Sequence, residues 1–201
     1  SARYARDMLA AEPGFPKFAA ASVHPLATEA AVQAYKKGGN AVDAAVATGL
    51  TLGVVDGHNS GIGGGCFFVI RAADGTVTCI DGREMAPSKA SRDMYVIDGK
   101  LDNEASKTGA LASGVPGYLK ACSVAQKKHG KLKLADVLLP AAEIAEKGFV
   151  IDEVYARKLA GTAAKLTLFP SSAAIFLPNG KPLEKGEKLV QIDLATTYRA
   201  I

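Results

Sequence analysis

Residues 56–87 read DGHNSGIGGGCFFVIRAADGTVTCIDGREMAP, and this stretch decides the fold. A glycine cluster, Gly61, Gly63, Gly64 and Gly65, precedes an apolar run from Cys66 to Ile70. Asp74-Gly75 then separates two alternating segments, a strong hairpin signal. Taken as a two-residue turn, it sets Ala73 opposite Thr76, Ile70 opposite Cys79, Phe68 opposite Asp81 and Cys66 opposite Arg83. Phe67, Val69 and Ile80 then share the other face. Arg83 ends its strand far from the turn, beside the glycines. Glycines admit positive φ and expose backbone N–H groups, and successive exposed N–H groups form an anion-binding concavity. An arginine fork beside such a concavity suits a carboxylate. On spacing alone, a tight turn next to a surface arginine accounts for the same residues.

Two catalytic motifs are excluded here. Gly57-His58-Asn59-Ser60-Gly61 resembles a nucleophile elbow, but its serine is one place late and a strand follows instead of a helix. The glycines are no phosphate loop, because no Gly-Lys-Ser/Thr follows and no helix starts there.

At 201 residues the chain is one domain or a large piece of one. Its 48% hydrophobic content can bury a sizeable core, and alanine carries much of it, which suggests closely packed helices. The net charge of +4 is mild, with lysine pairs only at Lys36-Lys37 and Lys127-Lys128. No basic stripe with interleaved aromatics points to nucleic acid. Cys66, Cys79 and Cys122 form no CxxC and no metal spacing, and the register keeps Cys66 and Cys79 apart. His24, His58 and His129 match no zinc pattern and read as structural or surface residues. No signal peptide is visible, and Ser1 leaves room for one to have been removed.

Along the chain, residues 4–11 suggest a short helix or a ragged terminus, and residues 19–23 a short first strand. Residues 24–37 are helical, with Leu26, Ala30 and Ala34 at four-residue steps, Pro25 in the first turn and Gly38-Gly39 as the stop. Asn40 caps the next helix, 41–55, which is apolar on nearly every side and therefore central to the core. It is too short to span a membrane. Residues 91–94 suggest one helical turn, and Asp98-Gly99 and Asp102-Asn103 are turn signals. Residues 110–117 read as a short strand into a Pro116-Gly117 turn. Helices are expected over 118–129 and 134–147, the latter kinked or restarted at Pro140. Asp152 caps a helix over 153–160. Residues 167–188 read as an irregular packed segment with a short strand around Ile175, Phe176 and Leu177. Asp193 caps a helix over 194–201, which stops without a C-terminal signal and suggests part of a larger protein.

Several stretches together resemble the gamma-glutamyltransferase (glutathione hydrolase) family. They are His24-Pro-Leu-Ala-Thr-Glu-Ala30, Gly38-Gly-Asn-Ala-Val-Asp-Ala-Ala45, Ser60-Gly-Ile-Gly-Gly-Gly65 and Asp81-Gly-Arg-Glu-Met-Ala-Pro87. Gly114-Val-Pro-Gly117, His129-Gly130 and Glu146-Lys-Gly-Phe149 fit as well. Each motif is weak alone; their order and spacing are specific. The resemblance implies an α+β, N-terminal-nucleophile hydrolase fold, a four-layer αββα sandwich of which this chain supplies part. Residues 1–201 would be the N-terminal portion of a large subunit, with no separate second domain. In such proteins a precursor cleaves itself, and the new N-terminal threonine of the small subunit attacks a γ-glutamyl amide such as glutathione. Water or an amino acceptor then takes the γ-glutamyl group from the acyl-threonine.

By the same resemblance, Arg83 is expected to pair with the substrate α-carboxylate; Glu84 either braces it or pairs with a surface lysine, and the glycine cluster, with Gly63 and Gly64, shapes the pocket wall behind it. No catalytic residue is expected in this chain, and Thr196-Thr197 is rejected as the nucleophile. Alone, the chain is expected to be inactive. No metal or cofactor is implied, and the partners are the small subunit and the small-molecule substrate. A periplasmic or secreted location is implied. Related activities compete: glutaryl-cephalosporin acylase or polyglutamate cleavage, or, in another class, a non-catalytic fragment or partner-binding domain.

Overall fold

The computed structural model describes residues 18–201. In chain order the elements are α1 (Pro25–Lys36), α2 (Ala41–Val55), β1 (Cys66–Arg71), β2 (Val77–Gly82), β3 (Val96–Ile97) and β4 (Lys100–Leu101). They continue with α3 (Tyr118–His129), α4 (Leu134–Lys147), β5 (Phe149–Val150), α5 (Glu153–Leu166), α6 (Pro170–Phe176), β6 (Lys188–Leu189) and α7 (Ile192–Ala200). The expected helix at 4–11 lies outside the described residues. The chain divides into two compact units, one running to Ser60 and resuming at Gln126, the other spanning Gly61–Ala125.

The first unit is built around α2. Asn40 caps it, accepting from the N–H groups of Val42 and Asp43, while the Asp43 carboxylate returns to the Asn40 N–H. Leu50, Val46, Val54 and Val55 are fully buried. Helices α1 and α4 pack on α2 through alanine faces, Ala27, Ala31 and Ala34 on one and Ala141, Ala142 and Ala145 on the other. The lack of bulk lets the helix axes approach closely. Pro140 is accommodated inside α4 without ending it. Helix α7 packs on α4, and two of its hydrogen bonds reach the carbonyls of α2. The buried Tyr198 hydroxyl donates to the Leu50 carbonyl at 3.0 Å, and Gln191 Nε2 donates to the Val54 carbonyl at 2.9 Å.

The carboxylate of Asp43 does more than cap. The residue is completely buried, and it accepts from the N–H groups of Lys131 and Leu132 at 3.0 Å and from the side-chain amide of Gln126. Asn40 Nδ2 donates to the His129 carbonyl at 2.6 Å. The α1–α2 turn is thereby tied to the α3–α4 turn.

The second unit contains the hairpin β1–β2. Its register differs from the sequence expectation by one residue. Cys66 faces Gly82, Phe68 faces Ile80, Ile70 faces Thr78, and Val69 faces Cys79. Phe68 and Ile80 therefore share the half-buried face, while Phe67, Val69, Val77 and Cys79 are exposed. The cause is the turn. Ala72 accepts from the Gly75 N–H and donates to Thr76, so the loop is Ala73-Asp74-Gly75, with Gly75 at φ 89°. This is the three-residue hairpin that ends in a left-handed glycine.

Other expectations are corrected here. Residues 19–23 form no strand, residues 91–94 make a turn instead of a helical turn, and 110–112 form a short 3₁₀ helix. Of residues 110–117, Val115 alone forms a β-bridge, to Met85. Helix α5 runs six residues past the expected end. Residues 175 and 176 close helix α6, which Pro170 starts at its first position, and the strand in this region is β6. Helix α7 begins at Ile192, with Gln191 as its cap and Asp193 in its first turn.

Candidate functional site

Arg83 follows directly on β2. Its own N–H donates to Asp81 Oδ1 at 2.9 Å, an Asx-type turn that bends the chain away from the strand. The side chain is exposed and makes no ion pair among the described residues. An unpaired guanidinium keeps all five donors available for a planar anion.

The glycine cluster lies beside it but not as the anion concavity expected from positive φ. Gly61, Gly63, Gly64 and Gly65 are absent from the left-handed region. At Gly64 and Gly65 the role is close approach. A Cβ on Gly65 would stand 2.7 Å from the Gly82 carbonyl oxygen and 2.7 Å from Glu84 Oε2. The Gly64 carbonyl receives the N–H groups of Gly117 and Tyr118 at 3.2 and 3.1 Å, which seats the start of α3 on the cluster. Gly117 is the tightest point: a Cβ there would be 2.3 Å from the Gly82 oxygen and 2.8 Å from the Arg83 oxygen.

Gly117→Ala should therefore displace backbone that carries Arg83. We expect a loss of about 1–3 kcal/mol, the usual cost of overpacking, read as a lowered urea midpoint at unchanged slope.

Glu84 occupies the notch that these glycines leave. Its carboxylate lies against Gly64 and Gly65, and its Cβ would be 3.2 Å from a Cβ on Gly114. Burial and then the Glu84 charge push the Cys66 thiol above its ordinary pKa. Glu84 makes no ion pair with a lysine or arginine among the described residues. Gly63 borders open space. The sequence placed Arg83 and the glycines together; it did not show the notch that Gly114 completes, because Gly114 is thirty residues from Glu84.

No nucleophile is presented at Thr196 or Thr197. Their hydroxyls donate to the carbonyls of Ile192 and Asp193 within α7. All three cysteines are free thiols, and burial pushes Cys122 up to about 12. Among the described residues no group of three His, Cys, Asp or Glu side chains could hold a metal ion. Two of the histidines serve the fold. His24 Nδ1 caps α1 through the Leu26 N–H, and His58 Nε2 meets Asp56 at 3.1 Å while its ring stands edge-on to Tyr155. Burial outweighs the nearby Asp152 and Asp56 charges and lowers the His24 pKa.

The backbone matches the crystal structure of Helicobacter pylori gamma-glutamyltranspeptidase with a TM-score of 0.88 at 36% identity, over 94% of this chain and 55% of that one. The fold is that of the N-terminal-nucleophile hydrolases, of the α+β class. Within that class, a family profile described as Gamma-glutamyltranspeptidase matches residues 27–201, and the chain belongs to this family. It is 44% identical over 183 residues to the glutathione hydrolase proenzyme of Escherichia coli (strain K12), covering 90% of this chain and 32% of that protein. It is also 41% identical over 188 residues to the acylase ACY 1 proenzyme of Pseudomonas sp. (strain V22), covering 89% of this chain and 33% of that protein. The chain thus spans about a third of the length of these curated relatives.

Proposed function

We propose that this chain is the N-terminal part of the large subunit of an enzyme that cleaves γ-glutamyl amides such as glutathione and passes the γ-glutamyl group to water or an amino acceptor. Arg83 carries the reading. It is exposed, without an ion-pair partner among the described residues, and held by a backbone bend at a glycine-packed strand end. There its guanidinium receives the α-carboxylate of the γ-glutamyl group in a bidentate pair. Glu84, braced against Gly64, fixes the bend behind it, and Gly63 leaves the approach open. The attacking threonine and its base belong to the part of such a protein that this chain does not span. The chain supplies recognition, and the small subunit from the same precursor supplies the acyl-threonine chemistry. The named relatives also include acylases, and an arginine that receives a carboxylate serves a glutaryl side chain equally well. A location outside the cytoplasm completes the proposal.

The test is a comparison of substrates on the full-length processed protein. We expect kcat/KM for a γ-glutamyl anilide to exceed that for a glutaryl anilide, which lacks the α-amine. The reverse order would place the protein with the acylases, and no turnover of either would reject the reading.

A further inference from the structure

The first unit gathers six exposed lysines that are far apart in sequence. Lys36 and Lys37 lie at the end of α1. Lys127 and Lys128 lie in the last turn of α3, and Lys131 and Lys133 in the loop that follows. The buried Asp43 brings them together. Its carboxylate holds the Lys131 and Leu132 N–H groups, Asn40 holds the His129 carbonyl, and Lys37 Nζ reaches the Asp136 carbonyl at 3.0 Å. Two carboxylates offset part of this charge: the buried Asp43, held by N–H donors, and the Asp136 side chain, which accepts from the Lys133 N–H. Lys37, Lys127, Lys128, Lys131 and Lys133 make no ion pair among the described residues.

The concentration of charge is strong. The chain has 24 Lys and Arg against 20 Asp and Glu, so without these six lysines it would hold eighteen basic and twenty acidic residues. Against the two carboxylates at this end, Asp43 and Asp136, the six lysines leave an excess of four positive charges.

We propose that this lysine end docks the protein on an anionic phospholipid surface. The patch is made of lysine alone, with flexible point charges and no arginine fork. That suits a continuous layer of headgroup charge better than a nucleic acid, whose recognition draws on planar forks and stacked rings. No described helix is long and apolar enough to cross a membrane. This inference does not depend on the proposed activity.

The experiment is co-sedimentation of the intact protein with vesicles of phosphatidylcholine alone or mixed with phosphatidylglycerol. We expect partitioning only onto the mixed vesicles, falling as salt shortens the screening length. The variant Lys127→Gln/Lys128→Gln/Lys131→Gln/Lys133→Gln should partition at least about tenfold more weakly, given the attraction of each lysine to an anionic leaflet. A control, Lys158→Gln/Lys165→Gln/Lys181→Gln/Lys185→Gln, removes the same charge from elsewhere on the surface and should bind as the parent does. Equal losses in both variants would reduce the effect to net charge and overturn the site. So would equal partitioning onto both vesicle types, or tighter retention by a single-stranded oligonucleotide than by the mixed vesicles. Circular dichroism of both variants establishes that they are folded.

Discussion

Arg83→Ala in the full-length processed protein is expected to raise KM for a γ-glutamyl anilide at least about 30-fold, the lower end of what losing a desolvated charge pair costs. The acylation step at saturating substrate should change far less, because on the proposed reading the arginine meets a carboxylate remote from the scissile amide. Its binding energy is then shared by ground state and transition state. The structure makes this a clean substitution. The guanidinium has no ion-pair partner among the described residues, so its removal strands no protein carboxylate. The bend that positions residue 83 is held by its backbone N–H on Asp81, which alanine retains. Arg83→Lys should remain impaired, since an ammonium cannot replace a two-pronged fork. Steady-state and single-turnover kinetics on the three proteins decide it; an unchanged KM for Arg83→Ala would remove Arg83 from substrate recognition.

Asp43→Asn is the second large effect, and it falls on stability. The carboxylate accepts from the backbone N–H groups of Asn40, Lys131 and Leu132 and from the Gln126 amide, with no cation in the set. An asparagine amide turns two donors toward this ring of donors. At least one buried N–H is then left without an acceptor, and a charge-assisted bond is lost at each of the others. The expected cost is about 3 kcal/mol or more.

The same carboxylate gives stability a pH dependence. Burial pushes its pKa up, but the hydrogen bonds from Asn40, Leu132, Lys131 and Gln126 outweigh that and hold it below the ordinary 3.8. A folded-state pKa below the unfolded one means the contribution is complete above about pH 4–5 and disappears as pH falls through the folded value. Urea midpoints measured between neutral and strongly acid pH should fall along this limb for the parent. They should lack this component in Asp43→Asn. Parallel curves would show that Asp43 does not couple protonation to folding.

The helices were legible because their signals are local. The four-residue alanine repeat of α1, the Asn40 cap, Asp152 before α5 and the all-round apolar face of α2 each lie within one or two turns of sequence. What was not legible depended on partners far along the chain. Asp43 interrupts an apolar helix in the sequence, and its buried role comes from residues 83–89 positions away. Residues 175–177 carry bulky apolar side chains that suggest a strand, but Pro170 at the first helical position sets a short helix instead. At the candidate site, the Asp81–Pro87 motif singled out Arg83 by resemblance alone. The placement of Glu84 in a glycine notch required the spatial approach of Gly64, Gly65 and Gly114.

The hairpin register was missed for a different reason: one dipeptide has two uses. At Asp98-Gly99 both residues take positive φ, 52° and 73°, and make a two-residue connection between β3 and β4. At Asp74-Gly75 only the glycine does, and Ala73 joins the loop. A side-chain period of two makes that single residue decisive.

The Ala73-Asp74-Gly75 loop therefore works as a parity setting for everything beyond it in the hairpin. A slip that paired Ala73 with Thr76 across a two-residue Asp74-Gly75 turn would turn Phe67 and Val69 toward the half-buried side and bring Arg83, not Gly82, opposite Cys66. The backbone approach that now requires glycine would be lost with it. The number of residues in the loop matters less than the pair that closes it: as long as Ala72 faces Thr76, Gly82 stays against Cys66.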